Sequence, residues 1–171
     1  MPDTILETSQ LRKEYGALVA VDDVSMSIDE HALHSIIGPN GAGKTTFFNL
    51  LSGTVKPTSG RVLFRGEDIT TLPPYRTIHK GNGRSFQITN LFTSLTVFEN
   101  VRIATQAMGS KSFRFTKPVS AFPDEIERTT EVHAIVGLSR DALKPAGQLP
   151  HGDQRKLELG MILAPDPDVL L

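Results

Sequence analysis

Residues 38–46 read "GPNGAGKTT". They fit the pattern G-x-x-x-x-G-K-[ST] through Gly38, Gly43, Lys44 and Thr45. Glycine admits left-handed backbone, so successive N–H groups of Gly38, Pro39, Asn40, Gly41, Ala42 and Gly43 (proline lacking one) can be turned toward a single anion. A helix opening at Gly43 would add the positive end of its dipole. Lys44 then reaches toward β- and γ-phosphates, the Thr45 hydroxyl toward Mg²⁺, and Thr46 completes the loop. The flanks supply the required context. Leu33–Ile37 ("LHSII") is short and apolar and stops at Gly38, which predicts a buried strand, and Gly43–Leu51 predicts a helix.

Upstream, Leu18–Ile28 alternates in its second half, placing Val24, Met26 and Ile28 on one face of a strand. Downstream, Pro57–Gly60 carries turn residues and Arg61–Phe64 predicts a short strand. The texture changes from about Tyr75. Thr96–Met108 has Val97, Val101 and Ala104 at helical spacing, with Thr96 as N-cap and Glu99 as its capping-box partner. Gly109–Phe122 predicts a loop, Pro123–Val136 a helix with proline in its first position, and Gly152–Leu163 a third helix. Asp166–Leu171 begins a further apolar strand. The expected fold class is α/β: a phosphate-loop core with an N-terminal β-subdomain over residues 1–87, an inserted helical subdomain over 88–150, and a last stretch over 151–171.

Bulk properties set the outer limits. The 171 residues suffice for one core, and 39% apolar with 22% charged residues is ordinary for a globular domain. A net charge of −1 gives no broad basic field, so no nucleic-acid partner is expected. With no cysteine, disulfides and thiolate metal sites are ruled out. No apolar run is long enough to cross a bilayer as a helix, and "MPDTILETSQ" lacks a signal-peptide pattern.

Kinases, GTPases, helicases and transporters share the phosphate loop, so its company must discriminate. Tyr15 lies 23 residues before Gly38, and Gln87, in "GRSFQIT", lies 43 residues past Lys44. "LPHGDQRKLELG" occupies residues 149–160. Together these resemble the ATP-binding subunit of an ATP-binding-cassette (ABC) transporter, and the resemblance spans essentially the whole chain. It implies that Tyr15 stacks on adenine, and that Gln87 contacts Mg²⁺ and the attacking water. It further implies that the segment usually written L-S-G-G-Q caps ATP bound by a second subunit. Leu149, Gly152 and Asp153 take that segment's first, fourth and fifth places, with Gln154 next. Pro150 stands for its serine and His151 for its first glycine, so a hydroxyl contact to the γ-phosphate is missing.

The implied cofactors are ATP and Mg²⁺, with Lys44 and Gln87 as the catalytic residues and Thr45 and Gln87 at the metal. The implied partners are a second ATP-binding subunit, as homo- or heterodimer, and a transmembrane permease seated near Gln87 and Phe92. An extracytoplasmic substrate-binding protein acts indirectly. The expected place is the cytoplasmic face of the membrane. "LPHGDQRKLELGMILA", "GRSFQITNLFTSLTVFENV" and the phenylalanine-rich insert at 111–122 resemble importers of branched-chain amino acids.

The family continues its last strand into an aspartate and a glutamate that serve metal and water. This chain matches neither, so it is expected to represent part of the domain and to lack ATPase activity as it stands. A kinase or GTPase is disfavoured because no arginine-rich lid or N-K-x-D motif occurs. A cassette ATPase of DNA repair or the ribosome is disfavoured because the insert is short and the cassette single. Phe92 and Phe98 are expected in core or groove, with Phe113, Phe115 and Phe122 mixed. Lys111, Arg114 and Lys117 are expected on a solvated loop. His31, His34, His79 and His133 are expected at the surface or satisfied in the core, His151 in a turn, and Asp166 and Asp168 in a loop before a strand.

Overall fold

A computed structural model describes residues 3–84, 91–108 and 122–171. Two β-rich strands open the chain: β1, Thr4–Tyr15, and β2, Leu18–Asp29, form an antiparallel hairpin with Tyr15 opposite Leu18. Gly16 turns it at φ 60°, a conformation that costs glycine little. The strand β3, Ser59–Phe64, pairs with the other edge of β1, and β4, Glu67–Asp68, follows it. The resulting four-stranded antiparallel sheet has the order β2-β1-β3-β4. Strict alternation would put Thr8 and Leu11 on opposite faces. A register shift between them brings both inside, with Gln10 at φ 48° as the extra residue. Gly60 accommodates this bulge, since a Cβ there would stand 2.3 Å from the Gln10 carbonyl oxygen.

The helix α1, Lys44–Leu51, buries Phe47, Leu50 and Leu51. Ile5, Leu6, Leu11, Val21, Val62, Phe64 and Ile69 complete the buried apolar set of this part of the chain. The predicted strand at Leu33–Ile37 is not formed: the segment is irregular, and Leu33 and Ile37 are 96% and 92% exposed. An apolar run becomes a strand only when a neighbouring strand takes its N–H and C=O groups. Among the described residues none pairs with it. The helix α2, Pro74–His79, is short, with Pro74 in its first turn.

The chain divides into two compact units, residues 1–82 with Leu171 and residues 83–170, the boundary falling inside β5, Asn82–Gly83. In the second unit, α3, Val97–Met108, α4, Pro123–Ile135, and α5, His151–Leu163, pack around Val97, Val101, Val132, Val136, Leu149 and Leu157. Thr96 caps α3 as expected, its Oγ1 accepting from the Glu99 N–H at 3.1 Å. The Glu99 carboxylate does not return to the cap; it takes two bonds from Arg102, at 2.9 and 2.7 Å. Gly160 lets α5 approach closely, because a Cβ there would meet Val132 Cγ1 at 3.3 Å.

The end of α5 is closed from α4. Arg128 donates to the carbonyls of Leu163, at 2.9 Å, and Ala164, at 3.4 Å, and to the Asp166 carboxylate at 2.9 Å. Carbonyls at a helix end have no partner inside the helix; Asp166 N–H also donates to Leu163 O at 2.9 Å, and the guanidinium adds a charged donor that complements the negative helix end. Asp166 and Asp168 lie, as expected, in the loop before β6, Val169–Leu170.

Candidate nucleotide-binding site

The phosphate loop is built as its glycines require. Gly41 and Gly43 adopt φ 85° and 82°, and Gly43 is the N-cap of α1. The two differ in how strictly they demand glycine. A Cβ on Gly41 would meet nothing within 4 Å, whereas one on Gly43 would lie 2.0 Å from the Ala20 carbonyl oxygen in β2. Gly43 is therefore fixed by contact with β2 as well as by its backbone angle. Inside the loop Ala42 N–H donates to Pro39 O at 3.3 Å, and the helix begins with Phe47 N–H donating to Gly43 O at 2.8 Å. The N–H groups of Lys44, Thr45 and Thr46 precede that first bond and so lack intrahelical acceptors. No side chain caps them, and no acidic residue occupies the first turn. An uncapped helix start with free N–H groups and no competing carboxylate suits an anion.

Lys44 lies across the loop it belongs to. Its ammonium donates to Gly38 O at 2.6 Å and to Pro39 O at 2.7 Å. The cation thus braces the turn, and a phosphate entering the loop would compete for it with neutral carbonyls, which a charged acceptor does favourably. Thr45 is exposed in the first turn, its hydroxyl available to a hard cation. Mg²⁺ retains waters and phosphate oxygens when it binds nucleotide, so one protein hydroxyl fits its needs here. Among the described residues no group of three acidic or histidine side chains could hold a metal without such help. A cavity of about 270 Å³ adjoins the loop, walled by Val24, Met26, Ile36, Ile37 and Phe47 together with Gly43 and Lys44. Its walls are mostly apolar, which suits neither phosphate nor metal, and neither Thr45 nor Tyr15 lines it.

Tyr15 closes β1 beside the hairpin turn and is 48% exposed, so a face of its ring is open to a flat ligand. Lys13, two residues earlier, holds its ammonium 5.0 Å from the ring centroid. Lys13 belongs to no motif, and its only signal in the sequence is the alternation in "KEY", which puts residues 13 and 15 on one face of the strand.

In the second unit, residues 149–154 open α5. Pro150 is the N-cap, with no side-chain cap bond, and its carbonyl accepts from Asp153 N–H and Gln154 N–H, both at 2.9 Å. Gln154 reaches back to Leu149 O at 3.0 Å, and Leu149 is buried, anchoring the turn in the helical core. His151 and Gly152 are exposed, and the position of a Cβ on Gly152 is open space. Asp153 sits in the first turn, where its carboxylate would oppose an anion, but Lys156 pairs with it at 2.7 Å. The preceding loop is tied to the start of α3: Val97 and Phe98 donate to the carbonyls of Lys144 and Ala142 at 2.9 and 2.8 Å. Ala146 and Gly147 donate in return to Leu95 and Thr93, at 2.9 and 3.0 Å.

The remaining candidates separate clearly. Gln87 lies outside the described residues, as do Phe113, Phe115, Lys111, Arg114 and Lys117. Phe92 is 49% exposed, while Phe98 is half-buried and stacks on His133, centroids 5.6 Å apart. His133 is buried, and only one of its nitrogens is satisfied: Nδ1 lies 2.6 Å from Thr129 O, whereas Nε2 has no hydrogen-bond partner. The expectation of a satisfied core histidine therefore holds for one nitrogen and not for the other. His31, His34, His79 and His151 are exposed. Phe122 is the N-cap of α4.

The sequence profile of the ABC transporter family matches residues 21–171. The chain belongs to that family. This ABC cassette is 35% identical to the high-affinity branched-chain amino acid transport ATP-binding protein LivG of Salmonella typhimurium, aligned over 176 residues that cover 100% of this chain and 69% of that protein. It is 36% identical to the corresponding protein BraF of Pseudomonas aeruginosa, with the same coverage. An ATP-binding cassette of an ABC transporter solved in its ADP conformation superposes with a TM-score of 0.84 at 32% identity, covering 98% of this chain and 67% of that one. A bacterial ABC transporter cassette solved as a dimer gives a TM-score of 0.77 at 26% identity, covering 97% and 72%. The α/β cassette fold expected from the phosphate loop and its company is thus the fold of this protein's family.

Proposed function

We propose that this chain is the ATP-binding subunit of an importer for branched-chain amino acids. Its match to LivG and BraF, over the whole of this chain and 69% of each relative, carries the reading, and the geometry of the phosphate loop supports it. ATP is held by Gly38–Thr46, with Lys44 on the β- and γ-phosphates, Thr45 and Gln87 toward Mg²⁺, and adenine on Tyr15. The segment Leu149–Gln154 of a second cassette closes over the γ-phosphate, so that two nucleotides lie at a dimer interface. The exposed side of Phe92, together with Gln87, faces the permease on the cytoplasmic side of the membrane. An extracytoplasmic substrate-binding protein delivers the amino acid to the permease.

Hydrolysis in the intact protein follows from this arrangement. Positioning and charge neutralisation are the work of the loop, and a carboxylate is needed for the water. Asp166 and Asp168 precede β6 rather than follow it, so we assign them no part in that step, and the 171-residue chain is proposed to bind ATP without turning it over. The test is transport. Cells deleted for the gene that encodes this chain should lose uptake of labelled leucine, isoleucine and valine and regain it with the wild-type gene. The Lys44→Ala gene should not restore it. Undiminished branched-chain uptake in the deletion strain, with loss of uptake of another solute, would refute the substrate assignment.

A further inference from the structure

Tyr15 ends a strand beside a two-residue turn, and its ring is 48% exposed. An exposed ring of this kind samples several rotamers, and stacking a base on it must first stop that motion. A cation lies over one face of this ring. Lys13 shares the Tyr15 face of β1, is itself half-buried, and places Nζ 5.0 Å from the ring centroid. The same ammonium donates to the Lys56 carbonyl at 2.8 Å. Lys56 is held in turn, because the adjacent strand end is stitched on both sides: Thr58 N–H donates to Arg12 O at 2.8 Å and Glu14 N–H donates to Thr58 Oγ1 at 3.0 Å. The cation is therefore anchored to backbone on one side and covers an aromatic face on the other.

We infer that Lys13 is a positioning residue for nucleotide binding, which braces Tyr15 from one face so that the opposite face is ready to stack on the base. This rests on the reading of Tyr15 as the residue that stacks on adenine. Lys13 itself touches no part of the nucleotide. Its ammonium draws on the ring quadrupole, and the contact lies within the range at which such attraction is effective. Its removal should free the ring and raise the ordering cost of stacking. The attraction at an exposed site corresponds to about a two- to fivefold change in affinity.

The experiment measures binding of ATP and of inorganic tripolyphosphate to the wild-type chain and to Lys13→Met, Lys13→Arg, Tyr15→Ala and the Lys13→Met/Tyr15→Ala double variant. Tripolyphosphate has no base, so it reads the phosphate loop without the stack. Lys13→Met should weaken ATP about two- to fivefold and leave tripolyphosphate unchanged, while Lys13→Arg, which keeps the cation, should bind ATP like wild type. In the Tyr15→Ala background Lys13→Met should cost nothing further. The inference is overturned if Lys13→Met leaves ATP binding intact while Tyr15→Ala weakens it. It is overturned equally if the Lys13→Met loss extends to tripolyphosphate or persists without Tyr15, since Lys13 would then act through the loop or on the phosphates. A Tyr15→Ala variant that binds ATP as tightly as wild type would instead sink the stacking reading, and the role of Lys13 with it.

Discussion

Gly43 and Gly41 occupy similar backbone angles, yet the structure predicts different consequences for changing them. Left-handed backbone at a non-glycine residue costs about 1–2 kcal/mol. Gly41→Ala meets only that, because its Cβ points into open space. Gly43→Ala adds a collision at 2.0 Å with the Ala20 carbonyl, which no side-chain rotation relieves, so loop or strand must move. Gly43→Ala should therefore lose markedly more stability in urea denaturation than Gly41→Ala, and most of its ATP affinity. Equal losses in the two variants would show that the approach of β2 to the loop is not maintained in solution. Lys44 is predicted differently again. Its loss removes both the brace on Gly38 O and Pro39 O and the cation meant for phosphate. A hydrogen bond to a charged group contributes about 1.5–3 kcal/mol, so Lys44→Ala should weaken ATP at least about tenfold in a binding titration, with little change in the far-UV circular dichroism spectrum.

Among the elements, α5 shows how a helix can be held so that its exposed start is left for another task. Its buried stripe is Leu157 and Gly160, its C-terminal carbonyls are taken by Arg128, and its N-terminal turn is pinned by Leu149 and Gln154. Leu157 is fully buried between α3 and α4. Leu157→Ala should therefore cost about 2–5 kcal/mol in chemical denaturation, as large-to-small core changes do. Arg128→Ala leaves the core intact but strips the cap from the last turn. A cation at a partly buried helix end contributes up to about 2 kcal/mol, so the expected loss is about 1–2 kcal/mol. Hydrogen exchange should locate it at Met161–Ala164, while protection in α3 stays unchanged. A loss spread evenly over the helices would mean that Arg128 acts through general packing and not as a cap.

For the whole molecule the decisive question is assembly. Gly152 stands at the exposed start of α5 with nothing within 4 Å of where a Cβ would lie, so the fold tolerates a side chain there. A carboxylate at that point, next to Asp153, would face the γ-phosphate of a second cassette in the proposed dimer and repel it. Gly152→Asp in the full-length protein should thus keep wild-type stability and wild-type ATP affinity as a monomer, yet lose ATP-dependent dimerisation by analytical ultracentrifugation. It should also lose turnover. Dimerisation that survives this change would argue against the Leu149–Gln154 segment acting on a partner's nucleotide.

Local chemistry by itself determines much of this protein. The left-handed glycines of the phosphate loop, the Thr96 cap, the proline at the start of α4 and the alternation of β2 each depend on a residue and its near neighbours, and each stands where the residues put it. The family was legible for the same reason, since its motifs are short and chemically constrained. Other features depend on what the chain meets after folding. The apolar run Leu33–Ile37 has the composition of a strand, but a strand exists only through a partner's hydrogen bonds, and no described strand supplies them. Thr8 and Leu11 share an interior because a bulge shifts the register against β2. His133 is buried because α3 brings Phe98 over its ring, and Arg128 caps a helix 36 residues away that only packing brings within its reach. Lys13 beside Tyr15 is the borderline case. Strand alternation puts the two on one face, but the anchor that turns their proximity into a brace, the Lys56 carbonyl, lies 43 residues along the chain and arrives only when β3 pairs with β1.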